Sequence, residues 1–132
     1  MNRSRGRLTR SDDFVRVYRA GRSVANKYLV LYYFERSGSE FAGASGGSRV
    51  GFSVSKRLGG AVERNRVKRA LREAFRMSSQ SLTGDMDLVF VARTPMIELL
   101  ETGGLGAVKE KMVEIFGKAS LVPPGEERRP SQ

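Results

Sequence analysis

The chain has no cysteine and no histidine. The first absence excludes disulfides and cysteine-ligated zinc and fits a reducing compartment, so a cytoplasmic location is expected. The second removes the commonest general base and the commonest metal ligand. A hydrolytic site would have to rest on carboxylates, hydroxyls or lysine. Long apolar runs are missing as well. The densest, Tyr28 to Phe34, has the length of a strand and falls far short of the roughly 20 residues that span a bilayer. The N-terminus is basic but no apolar stretch follows it, so no secretory signal is expected. There is no lipid-anchor motif and no basic amphipathic terminal helix, and no membrane partner is expected.

What the chain has is positive charge. Lysine and arginine number 24 against 14 acidic residues, a net charge of +10 over 132 residues. The first 76 residues hold 18 of the basic side chains, whereas residues 77–132 are net acidic. Such an uneven field attracts a polyanion, and by itself it does not separate RNA from DNA. Apolar residues make up 39%, enough for one globular domain with a single core.

Residues 1–8 are polar and Arg-rich and read as a flexible basic arm. Ser11 is a candidate N-cap with Asp12 and Asp13 in the first turn. Phe14, Val17 and Tyr18 then share a helical face, and Gly21 closes the helix as its C′ residue. Val24–Glu35 reads as a first strand, residues 36–48 as a flexible Gly/Ser connection, Arg49–Ser55 as a second strand and Asp85–Ala92 as a third. Between the last two, Ala61–Met77 is the strongest helix, with Val67, Ala70, Leu71, Ala74 and Phe75 on one stripe. Thr94 as N-cap and Pro95 at the first helical position open a last helix. That helix carries Leu105, Val108, Met112, Ile115 and Phe116 on one face and is broken or bent at Gly103–Gly104. Residues 120–132 read as a disordered tail. The domain itself spans 9–119, and the mixture of helices and strands predicts a small α/β sandwich.

The helix from Ala61 carries the chemistry. At 100° per residue, Asn65, Lys68, Arg69, Arg72 and Arg76 fall opposite the apolar stripe, and Arg64 and Arg66 at its edges. Cations in the first turn oppose the helix dipole, and only Glu63 and Glu73 relieve the repulsion. A solvated basic face would look similar, but arginine forks on one face also suit phosphate oxygens. Just upstream, Ser53-Val54-Ser55-Lys56-Arg57 ends a strand in a basic loop. Gly59-Gly60 lacks the downstream Lys-Ser/Thr of a P-loop.

Arg49 to Phe75, RVGFSVSKRLGGAVERNRVKRALREAF, resembles the central signature of the bacterial ribonuclease P protein family, whose hallmark is an Arg-Asn-Arg motif on a helix. Arg64, Asn65 and Arg66 match the motif, with Lys68, Arg69 and Arg72 in frame. The Phe-Ser-Val-Ser-Lys block from Phe52 matches too, as do Leu8, Phe14, Val17, Gly21, the Ser-Val-Ala-Asn-Lys-Tyr run from Ser23 and the strand Asp87–Arg93. The resemblance covers residues 7–119. It implies an α+β sandwich in the order α-β-β-β-α-β-α, its four-stranded sheet having a left-handed crossover around the Arg-Asn-Arg helix, against the usual hand. The residues alone read as three strands.

The resemblance also implies a function. The family's protein is the non-catalytic subunit of a ribonucleoprotein endoribonuclease that removes the 5′ leader of precursor tRNA. Its partners are ribonuclease P RNA, one protein per RNA, and precursor tRNA. Catalysis and its Mg²⁺ belong to the RNA, so neither catalytic residue nor cofactor is expected here. Arg64, Asn65, Arg66, Lys68, Arg69 and Arg72 would face the catalytic RNA. Phe14, Tyr18, Tyr32, Ser53, Lys56 and Arg57 would line a cleft for the single-stranded leader, where aromatic platforms and a basic groove are what a single strand needs. A core role for Phe14 competes with this one. Three features depart from the family pattern: Gly60 where a polar residue, often Asn, is usual; the long Gly/Ser connection; and the acidic C-terminal end. Two other readings remain: a different RNA-binding protein of the ribosomal kind, and a metal nuclease built on Asp85 and Asp87, which alternate on one strand and share a face.

Overall fold

The structure is a computed structural model that describes residues 11–35, 48–79 and 86–119. The expected basic arm, the Gly/Ser connection apart from its last residue, the tail, Asp85 and the side chains of the Ser11 cap and its two aspartates lie outside the described residues. The elements run α1 (Ser11–Ala20), β1 (Arg22–Ala25), β2 (Leu29–Glu35), β3 (Arg49–Ser53), a 3-10 turn (Lys56–Leu58), α2 (Ala61–Ser78), β4 (Met86–Ala92) and α3 (Pro95–Lys118). This is the α-β-β-β-α-β-α order.

The stretch that reads as one strand from Val24 is two, because Asn26 turns the chain. Its Oδ1 accepts from the backbone N–H groups of Tyr28 and Leu29, each at 2.9 Å, and its own N–H donates to Leu29 O at 2.9 Å. A side chain that mimics a backbone turn needs only the short polar step Asn26-Lys27, with no glycine or proline to mark it. Across the chain, Asn26 Nδ2 donates to Lys111 O at 3.1 Å and so ties the turn to α3.

The sheet order is β1-β2-β4-β3. β1 pairs antiparallel with β2, and β2 with β4, whereas β3 and β4 are parallel neighbours joined through α2. Strand periodicity divides the core between two faces. On one face Leu29, Leu31, Val50, Leu88 and Phe90 meet Val67, Leu71, Ala74 and Phe75 of α2 and Met96, Val108, Met112, Ile115 and Phe116 of α3. Phe90 is fully buried there, 5.9 to 6.0 Å from the rings of Phe52, Phe75 and Phe116. On the other face α1 lies over β2 and β4, and Val17 packs on Val89 with Phe14, Tyr32, Phe34 and Val91 around them. The same face carries the one buried carboxylate among the described residues. Arg49 of β3 forks onto its register partner Asp87 of β4, Nε to Oδ1 and Nη2 to Oδ2, both at 2.9 Å.

Several boundaries shift for local reasons. β3 stops at Ser53, because Ser55 caps the 3-10 turn by accepting from Arg57 N at 3.3 Å. β4 is described from Met86, and α2 runs one residue further than expected, to Ser78. Thr94 does not cap α3: its backbone is already helical and its side chain makes no capping bond, although Pro95 does occupy the first turn. The Gly103–Gly104 break is real, with Gly104 at φ 69° inside α3. Gly21 ends α1, but not through a left-handed backbone, since the positive-φ glycines among the described residues are Gly59 and Gly104. It is glycine because a Cβ there would lie 2.3 Å from Tyr33 O and 2.5 Å from Val17 O.

Gly21→Ala is therefore expected to destabilise the fold by about 1–3 kcal/mol, as overpacking against backbone does. Gly106→Ala, inside α3 where nothing lies within 4 Å of the added Cβ, is the matched control and should be neutral or slightly stabilising. Urea midpoints at constant m-value measure both.

Candidate RNA-binding surface

α2 buries its apolar stripe, and that fixes what faces outward. Asn65, Arg66, Arg69, Arg72 and Arg76 are exposed, while Arg64 and Lys68 are half-buried at the edges. Arg64 donates Nε to Gly59 O at 3.2 Å and so fastens the preceding loop to the helix. Arg66 lies 3.7 Å from Glu63, one turn back. Arg76 is paired with Glu73, and its hydrogen bond holds the Glu73 carboxyl below the usual carboxylate range. Among the described residues no carboxylate neutralises Lys68, Arg69 or Arg72, so like charges stand three and four residues apart, which weakens an isolated helix. Gly60 occupies the N-cap position and offers no capping side chain. A capping Asn would gain only a few tenths of a kcal/mol there.

The second group of candidate residues lies on the α1 side of the sheet. Tyr18 is 43% exposed and stands edge-on to Tyr32, ring centroids 4.9 Å apart at 86°. Partial burial, and secondarily the neighbouring Tyr32, push the Tyr18 phenol above its usual value, so it stays protonated and can donate. Phe14 is half-buried in the cluster around Val17 and Val89 and takes part in packing. Ser53 is the register partner of Val91, which belongs to that cluster. Lys56 and Arg57 are exposed on the 3-10 turn beyond it.

Sequence reasoning missed how this face continues. An open groove of about 590 Å³ runs past the end of the sheet, with Lys27, Arg57 and Arg93 as its cations and Leu58, Val91 and Pro95 among its apolar walls. Arg93 is held in place by a bond from Nη1 to Asn26 O at 3.0 Å. Its signal was there to read: Val89, Val91 and Arg93 share one period-2 frame, so an arginine just past the strand stays on the face of its predecessors. Among the described residues no acidic side chain lines the groove.

The metal-nuclease reading fails on Asp87. Both of its carboxylate oxygens accept from Arg49, and its side chain is sealed under the sheet face. Among the described residues no three acidic side chains come together as a metal site, and no described helix is long and apolar enough to cross a membrane.

The family model described as Ribonuclease P matches residues 2–119. The ribonuclease P protein component of Halalkalibacterium halodurans is 39% identical over 118 residues, covering 89% of this chain and 91% of that protein. That of Clostridioides difficile is 44% identical over 93 residues, covering 70% and 75%. Among solved structures, the Staphylococcus aureus RNase P protein superposes with a TM-score of 0.73 at 30% identity, covering 89% of this chain and 97% of that one. The Thermotoga maritima RNase P protein gives 0.72 at 28%, covering 86% and 97%. With most of the chain matched in sequence and in fold, this protein belongs to the ribonuclease P protein family.

Proposed function

We propose that this chain is the RNA-binding, non-catalytic protein subunit of a ribonuclease P, and that it promotes removal of the 5′ leader from precursor tRNA. The observation that carries the proposal is the cationic face of α2, on which no described carboxylate pairs with Lys68, Arg69 or Arg72, together with the tyrosine pair of the α1 side and a basic groove, in a chain of this family. The α2 face, with Arg64, Asn65, Arg66, Lys68, Arg69 and Arg72, binds the catalytic RNA. Phosphates there replace the helix's own like-charge repulsion with forked hydrogen bonds. Tyr18 and Tyr32, with Ser53, Lys56 and Arg57 further along, hold the single-stranded leader, and Phe14 supports them from below. One protein acts per RNA, in the cytoplasm. Bond cleavage and the Mg²⁺ it needs belong to the RNA; the protein contributes binding and charge neutralisation.

Reconstitution tests the whole reading. The purified protein alone is expected not to cleave precursor tRNA, whereas adding it to a bacterial ribonuclease P RNA should raise cleavage at low salt. Cleavage by RNA-free protein that survives repurification would overturn the assignment.

Arg69→Ala and Arg72→Ala are expected to weaken binding to the catalytic RNA with the fold intact, since both side chains are exposed and unpaired among the described residues. Each lost phosphate contact should flatten the log–log salt dependence by about one unit or less. Filter binding at several salt concentrations, with circular dichroism alongside, reads both effects.

Tyr18→Ala should weaken precursor tRNA binding and leave mature tRNA binding unchanged, because a stacked base contributes about 1–3 kcal/mol. Tyr32→Ala should do the same with some loss of stability, as its ring also packs in the α1 cluster. A defect of equal size on leaderless RNA would rule out leader contact.

A further inference from the structure

Two carboxylates interrupt the basic α2 helix, and the one in its first turn, Glu63, stands where the Arg-Asn-Arg motif begins. An acid there suits the helix dipole. It also repels any phosphate brought to Arg64 or Arg66. Its surroundings are specific. The Glu63 stem packs on Gly59, which has φ 133°, so closely that a Cβ on that glycine would lie 2.9 Å from Glu63 Cβ and 3.1 Å from Cγ. Glu63 Oε1 is shielded from solvent and makes no hydrogen bond among the described residues. Facing it, Arg66 Nη1 lies 3.7 Å away, an ion pair not closed to the ~2.9 Å of a hydrogen bond. The neighbouring Arg64 is turned the other way, donating Nε to Gly59 O.

We propose that Glu63 is a positioning residue for Arg66. Its carboxylate draws one edge of the guanidinium toward the Gly59 loop, and the opposite edge is thereby presented outward to a phosphate of the catalytic RNA. An unheld arginine on an exposed helix face samples many rotamers and loses that freedom when RNA docks. A guanidinium has donors enough for a carboxylate on one edge and a phosphate on the other. The shielded Oε1 lacks a hydrogen bond in the free protein, so closing onto Arg66 when RNA fixes the arginine satisfies it. The proposal rests on the assignment of α2 to the catalytic RNA and adds to it a role for an acid that charge alone would count as harmful.

The two views predict opposite signs. If Glu63 acts only through its charge, Glu63→Gln raises the net charge and tightens binding to every RNA. If it positions Arg66, Glu63→Gln weakens binding to ribonuclease P RNA by about two- to fivefold, the range of an exposed charge pair. Binding to an unstructured oligouridylate of matched charge should stay unchanged or tighten. The full chain would be measured as wild type, Glu63→Gln, Glu63→Asp, Arg66→Ala and the Glu63→Gln/Arg66→Ala pair, with melting temperatures recorded. The Glu63→Gln loss should vanish in the Arg66→Ala background, and Glu63→Asp should restore part of it. Tighter binding to both RNAs, a loss that persists without Arg66, or a loss that tracks a fall in melting temperature would overturn the proposal. A harmless Arg66→Ala would overturn the role of Glu63, whereas the α2 assignment itself would fall only if Arg69→Ala and Arg72→Ala were harmless too.

Discussion

The central strand β4 is dry on both faces, and the rest of the molecule is arranged to keep it so. Residues Met86 to Phe90 are all buried. Their alternation sends Leu88 and Phe90 toward α2 and α3 and Val89 toward α1. A strand in that position must have neighbours on both edges and helices on both sides. β2 supplies one edge and β3 the other. The single charge the strand buries, Asp87, is tolerated because Arg49 on the parallel neighbour meets it with two hydrogen bonds. That pair also specifies register, since a slip of one residue would leave a carboxylate buried without its partner. Once β3 is fixed beside β4, the connection between them must place α2 on the sheet with its apolar stripe inward, and its arginines point at solvent by necessity.

Helices were easy to read from the chain and turns were not, for a physical reason. The α2 stripe repeats over many residues and is set by packing, so Val67, Leu71, Ala74 and Phe75 were legible, as was the cationic face opposite. Asn26 was not, because its turn is made by one side chain over just two polar residues, Asn26 and Lys27, with no glycine or proline to mark it. Gly21 was read correctly as a helix end but for the wrong cause. The close approach of Tyr33 O is a tertiary fact with no local signature. Asp87 matched a metal-ligand pattern that any buried ion pair also produces, and Thr94 matched a cap that the helix does not use. The leader-side residues came from the family resemblance; composition alone would have shown tyrosines and basic residues scattered from Tyr18 to Arg57, with nothing to say that Tyr18 and Tyr32 touch. Arg93 was read only as the end of the matched strand, because the Asn26 turn that fixes its side chain in the groove was itself not legible.

The two basic regions are different kinds of electrostatic object. On α2 the charges crowd one another along a helix, so the free protein holds them at a cost in helix stability that a polyanion removes. Around the groove the cations come from separate elements, Lys27 before β2, Arg57 after β3 and Arg93 after β4, and apolar walls lie between them. Spaced cations over an apolar floor can follow a flexible strand, whereas a dense row on a rigid helix suits a fixed array of phosphates.

The tie between Asn26 and Lys111 has a consequence for the order in which the molecule can be assembled. The two residues are 85 positions apart, and Lys118 reaches back to Ala25 O across 93 positions. A chain that leaves the ribosome N-terminus first makes the β1–β2 turn early, yet the latch on that turn arrives only with the last helix. The β2 edge of that hairpin also stays open until β4, at the far end of the β3–α2 crossover, pairs with it, and such non-local pairings are among the slower ones to close. The native state is thus sealed at its beginning by its end, which makes acquisition of the fold a late, concerted event.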